Sequence, residues 1–94
     1  MAPARRAVEK AIMRIVIVDN FPHVRDSLKS LLSTLGEVEI IGEAQDVPGA
    51  INLAQKLQPD IAIVDINIPG GSGFEVLKEF KKKAGVVIVL TSYS

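Results

Sequence analysis

Three segments that are apolar nearly throughout, Arg14–Val18 (RIVIV), Ile61–Val64 (IAIV) and Val86–Leu90 (VVIVL), are each followed at once by a polar residue or pair. No other feature of the chain restricts its fold as much. A strand with one face in water alternates apolar and polar residues, whereas a strand covered on both faces reads as an unbroken apolar run. Such strands need helices above and below them, and the intervening segments supply the pattern. Pro22 opens a stretch in which Val24, Leu28, Leu31, Leu32 and Leu35 recur at helical spacing until Gly36. Asp46 and Pro48 open a second, with Val47, Ala50, Ile51, Ala54 and Leu57 on its apolar face and Pro59 ending it. A third follows the loop Asn67–Gly73 and is expected to turn Phe74, Leu77 and Phe80 inward. Val38–Gly42, with Glu37, Glu39 and Glu43 around it, is a more polar strand that belongs at a sheet edge. Strands alternating with helices imply right-handed βαβ units and one doubly wound parallel sheet.

Ninety-four residues suffice for one small domain. The natural division is a leader, 1–12, followed by the domain, 13–94. The leader carries Arg5, Arg6 and Lys10 but no apolar segment of the kind a secretion signal requires. Lys plus Arg and Asp plus Glu both number 11, so net charge offers no reason to expect a nucleic-acid surface. Without cysteine there are no disulfides or thiolate metal sites, which fits a reducing, cytoplasmic setting. The longest apolar runs fall far short of the roughly 20 residues of a membrane helix.

In open parallel sheets, ligands bind outside the carboxyl ends of the strands. The residues delivered there are Asp19 and Asn20 from the first strand, Asp65 from the third and Thr91 from the fourth. If the first and third strands are neighbours, Asp19 and Asp65 converge. Two carboxylates with further oxygen donors suit a hard cation such as Mg²⁺. A carboxylate in that setting can attack phosphorus to give an aspartyl phosphate, and Thr91 could hydrogen-bond a phosphoryl oxygen. Plainer roles account for several residues singly. Asp19 or Asn20 could cap the helix opened by Pro22, and Asp46 reads as an N-cap. Asp60 lies at the opposite sheet edge and reads as structural, His23 as a surface residue, and Lys81–Lys83 as a complement to a helix C-terminus. Pro69-Gly70-Gly71-Ser72-Gly73 is neither a dinucleotide-binding nor a Walker A loop. Its glycines suit a tight turn, with Ser72 capping the next helix. Asp65 is harder to read plainly, because the end of an otherwise apolar strand is where another aliphatic residue or a cap would be expected.

Three segments, IVIVDNFPHVRDSL, PDIAIVDINIPGGSGFEVL and VVIVLTSYS, together resemble the receiver domain of two-component response regulators. The first matches the strand that ends in an acidic pair. The second matches the strand ending in the phosphorylated aspartate, with Pro69 and Gly73 meeting the pattern that follows it. The third matches the strand ending in the switch Thr or Ser. The resemblance spans Met13 to Ser94 and implies a flavodoxin-like (CheY-like) sheet, with four strands present in the order 2-1-3-4. It further implies that Asp65 receives phosphate from a histidine kinase or histidine phosphotransfer protein. Mg²⁺ would be held by Asp19, Asn20, Asp65 and the backbone carbonyl of Asn67, and Thr91 would act as the switch. A phosphoacceptor of this kind is a signalling module and not an enzyme in its own right.

Two departures accompany the resemblance. Asn20 stands where the family usually has a carboxylate, so weaker Mg²⁺ binding is expected. The sequence also reads as incomplete, lacking the family's closing helix, fifth strand with its phosphate-pairing lysine, and final helix. The fourth strand is then expected to be an edge that invites pairing with a second copy. The competing function is a phosphorylation-independent pseudo-receiver acting as an interaction or dimerisation module. An aspartate-nucleophile phosphatase is disfavoured, because position 67 is Asn where a second acid would be wanted.

Overall fold

β1 (Met13–Val18) and β3 (Ile61–Asp65) lie side by side at the centre of a four-stranded parallel sheet in the computed structural model, which describes residues 12–91. The strand order is β2-β1-β3-β4, with β2 (Val38–Ala44) and β4 (Val86–Leu90) at the edges. Three helices connect the strands: α1 (Pro22–Ser33), α2 (Val47–Lys56) and α3 (Gly73–Lys83). The expected doubly wound sheet and its order are therefore present, and the polar second strand is an edge. Most of the proposed leader, residues 1–11, and the final residues, 92–94, lie outside the described part.

The unbroken apolar strands are buried for the reason their sequence suggested. Val16, Val18, Ala62 and Val64 face α2 and α3, where Val47, Ala50, Ala54, Val76 and Phe80 close the larger half of the core. Ile15, Ile17 and Ile63 face the other way, onto Leu28 and Leu32 of α1. Each such aliphatic side chain taken out of water contributes about 1.5–3 kcal/mol.

Helix ends follow their local chemistry. Asp46 caps α2 by accepting from the Gly49 amide at 2.8 Å, and Ser72 caps α3 by accepting from Phe74 at 3.2 Å. Lys81, Lys82 and Lys83 occupy the last turn of α3, with Lys82 paired to Glu79 at 3.4 Å. Asp60 is structural: its carboxylate accepts from the Arg14 amide at 2.8 Å and fixes the start of β1 against β3.

Three expectations need correction. Phe74 points outward rather than into the core, and Gly73, Val76 and Phe80 form the buried face of α3. Phe74 instead joins Leu77, Val87 and Val89 along a groove beside β4. On α1, Leu31 and Leu35 are exposed. Leu31 lies about 60° round the helix from Leu28 and about 100° from Leu32, on the flank of their stripe, and Leu35 lies past the helix end. The α1 N-cap is Phe21 with no side-chain cap bond, so neither Asp19 nor Asn20 caps this helix.

Candidate functional site

Strand register decides which polar residues meet. Val18 pairs with Val64, so Asp19 and Asp65 come next on adjacent parallel strands, which run about 4.8 Å apart. Strand alternation places both on the side that carries Ile17 and Ile63. Asp19 is 3% exposed and Asp65 1%, and no other charged or polar side chain of the described residues is as buried. Two carboxylates of one sign at this depth suit a compensating cation.

Each carboxylate is aimed by its own chain. Asp19 Oδ1 accepts from the Phe21 amide at 2.9 Å, and Asp65 Oδ1 accepts from the Asn67 amide at 2.8 Å. Both are tight turns at a strand end, and they leave the second oxygen of each carboxylate to the site. Asn20 follows Asp19 and is half-buried, while Asn67 is exposed on the loop after Asp65. Thr91 is exposed just past Leu90, whose register partner is Asp65. The Ile66 amide donates to the Leu90 carbonyl at 3.3 Å, tying the loop after Asp65 to the end of β4. The structure thus brings Asp19 and Asp65 together, sets Asn20 and Asn67 beside them in sequence, and puts Thr91 on the neighbouring strand end.

The loop that follows Asp65 is shaped by its glycines. Gly70 has φ +97, and a Cβ there would meet Pro48 of α2 at 2.9 Å. A Cβ at Gly73 would collide with the backbone carbonyl of Ile66. The Val47 amide donates to the Pro69 carbonyl at 2.9 Å, so this loop is clamped to the start of α2. The turn expected from Pro69–Gly73 is therefore present, and it holds the segment carrying Asn67 close to the sheet.

The donors on offer are two carboxylates, the Asn20 amide oxygen and the Asn67 carbonyl, all hard oxygens that fit Mg²⁺. Among the described residues no three His, Cys, Asp or Glu side chains gather into a metal cage.

One neighbour of the site leaves no signal in the sequence. Arg25, on α1, donates from Nη1 to the Asp19 carbonyl at 2.7 Å and from Nε to Glu43 at 2.9 Å. Lys29, one turn on, donates to the other Glu43 oxygen at 2.8 Å. The Lys29 hydrogen bond, with Arg25 adding to it, holds the Glu43 carboxyl below its ordinary range against the opposing effect of partial burial. The bond to Glu43 raises Lys29 in turn. Nothing local in the sequence pairs residue 25 with residue 43; the partnership exists only once α1 lies over the β1–β2 edge.

The model of the response regulator receiver domain matches residues 15–94. The chain belongs to this family. Among relatives, the transcriptional regulatory protein YdfI of Bacillus subtilis is 40% identical over 82 residues, covering 86% of this chain and 38% of YdfI. The receiver thus spans little more than a third of that relative. Among solved structures, the response regulator domain of Thermotoga maritima CheB superposes with TM-score 0.76 at 33% identity, covering 86% of this chain and 61% of that one. The isolated receiver domain of RcsB from Salmonella enterica serovar Typhimurium, solved in the presence of the phosphomimetic BeF₃⁻, gives TM-score 0.76 at 29% identity, covering 88% and 64%. No helix among the described residues of this receiver is long and apolar enough to cross a membrane.

Proposed function

We propose that this receiver domain is a phosphoacceptor of a two-component phosphorelay and that Asp65 takes the phosphoryl group from a histidine kinase or histidine phosphotransfer protein. The observation that carries the reading is the pairing of two buried carboxylates, Asp65 and Asp19, at adjacent strand ends of an otherwise apolar sheet.

The Asp65 oxygen not engaged by Asn67 attacks the phosphorus of a phosphohistidine. A P–O bond forms, the P–N bond breaks, and the imidazole leaves with a proton. Asp19, the Asn20 amide oxygen, Asp65 and the Asn67 carbonyl would hold Mg²⁺, which when bound offsets the negative charge of the incoming phosphoryl group. The Asp65 turn keeps the nucleophile oriented, and the clamped loop keeps the Asn67 carbonyl nearby. Thr91, one residue beyond the register partner of Asp65, is the group that would reach a phosphoryl oxygen and carry the change to the β4 side. The setting is cytoplasmic, and the β4 edge, which has no neighbouring strand among the described residues, is a candidate surface for pairing with a second copy.

Incubation with acetyl phosphate and Mg²⁺, followed by mass spectrometry of the intact protein, tests the reading. The expected result is one phosphoryl adduct that Asp65→Ala abolishes. An unmodified wild type that also fails to respond to beryllofluoride would make the domain a phosphorylation-independent pseudo-receiver.

A further inference from the structure

Asp19 is pinned at every polar group but one. Its amide donates to the Ala44 carbonyl of β2 at 3.0 Å, its Oδ1 accepts from Phe21, and its carbonyl accepts from Arg25. The remaining carboxylate oxygen is the one left for the site. The Arg25 contact has a particular consequence, because the Asp19 carbonyl belongs to the peptide plane that leads into Asn20. Fixing that plane restricts where the Asn20 side chain can go. Asn20 brings no charge, so whatever it contributes to a cation depends on being in the right place beforehand.

We propose that Arg25 is a positioning residue for the metal pocket, its guanidinium bridging the Asp19 carbonyl and the Glu43 carboxylate so that α1 and the end of β2 together set the Asp19–Asn20 turn. The inference rests on the reading of Asp19 and Asp65 as the cation site. Arg25 is suited to this role by its planar fork, which serves two acceptors in different directions from one rigid group. Its side chain is only 15% exposed, so it is packed in place, and Glu43 is itself held from its far side by Lys29. A simple surface ion pair between a helix and a strand would need neither the Asp19 carbonyl nor this burial.

Charge and position predict opposite results, which makes the proposal decidable. A guanidinium near two carboxylates repels an incoming Mg²⁺, so on charge alone its removal would tighten binding. If Arg25 acts by position, its removal weakens binding. Mg²⁺ titration followed by calorimetry or amide chemical shifts, on wild type, Arg25→Gln and Arg25→Lys, separates the two. The expected affinity of Arg25→Gln is about 10-fold lower, the range found when a group that orients a metal ligand is lost. Arg25→Lys keeps the charge without the fork and is also expected to bind more weakly. Melting curves establish that each variant is folded at the titration temperature, and if Arg25→Gln is not, Arg25→Lys decides. Variants that bind Mg²⁺ as well as wild type, or better, overturn the positioning role while leaving the phosphoacceptor reading intact. A wild type that takes up no Mg²⁺ overturns both.

Discussion

Two residues of the site show how much a single side chain decides. Asn20 offers an amide oxygen where an acid would add a full negative charge, and the two carboxylates around it are already buried. Replacing Asn20 with Asp should tighten Mg²⁺ binding and speed phosphorylation by acetyl phosphate, both read by titration and by the rate of adduct formation. Equal affinities would show that position 20 does not touch the cation. Gly73 is the second case. A methyl group there meets the Ile66 backbone, which cannot move without shifting the segment that follows Asp65. Gly73→Ala should cost about 1–3 kcal/mol, the range for overpacking a close contact, measured by chemical denaturation. The same variant should slow adduct formation, because the loop that carries Asn67 is displaced.

At the level of elements, α1 is the most lightly held helix. None of its residues is fully buried, and its anchorage comes from Leu28 and Leu32 and from the Arg25–Glu43–Lys29 group. By contrast α2 buries Val47, Ala50 and Ala54, and α3 buries Gly73, Val76 and Phe80. The ionic anchorage has a pH signature. Lys29 and then Arg25 lower the Glu43 carboxyl in the folded protein from its ordinary 4.5, so the folded state binds fewer protons than the unfolded one. That contribution is present above the unfolded value and is lost as pH falls through the lower, folded one. Denaturation midpoints followed down through this acid range should decline more steeply in wild type than in Glu43→Gln. Parallel slopes would mean that the ion pairs contribute nothing measurable, as many exposed pairs do. The difference should also shrink at high salt.

For the whole molecule, the informative asymmetry lies between the two edges of the sheet. The β2 edge is polar, with Glu39 and Glu43 exposed, and charges of this kind discourage strand pairing. The β4 edge is apolar, and Val86, Ile88 and Val89 are all more than 40% exposed. An apolar edge of this length, with no neighbouring strand among the described residues, is a template for another strand. The 94-residue chain should therefore sediment as a concentration-dependent dimer, and Ile88→Lys should return it to a monomer with its melting temperature little changed. A wild type that stays monomeric at high concentration would rule this edge out as a pairing surface.

Much of this architecture is legible in the amino-acid sequence. Apolar runs ending in polar residues determine the strand assignments, the parallel sheet and its polar edge, because burial on both faces leaves no other residue pattern. The same runs mark Asp19 and Asp65 as the carboxylates delivered at strand ends, and Pro69–Gly73 marks the turn after Asp65. Helix faces are less legible. Leu31 and Phe74 carry the right residue type at nearly the right spacing, but which flank of a helix is covered depends on the neighbour beside it. Arg25 shows the same limit more sharply. Its role depends on the carbonyl of Asp19 and the carboxylate of Glu43, and spacing along the chain says nothing about either. The sequence alone determined which carboxylates end the buried strands, through the demand that apolar strands be covered on both faces. Only the tertiary structure decided what holds them in place, because Arg25 and Glu43 meet solely through the packing of α1 across the β1–β2 edge.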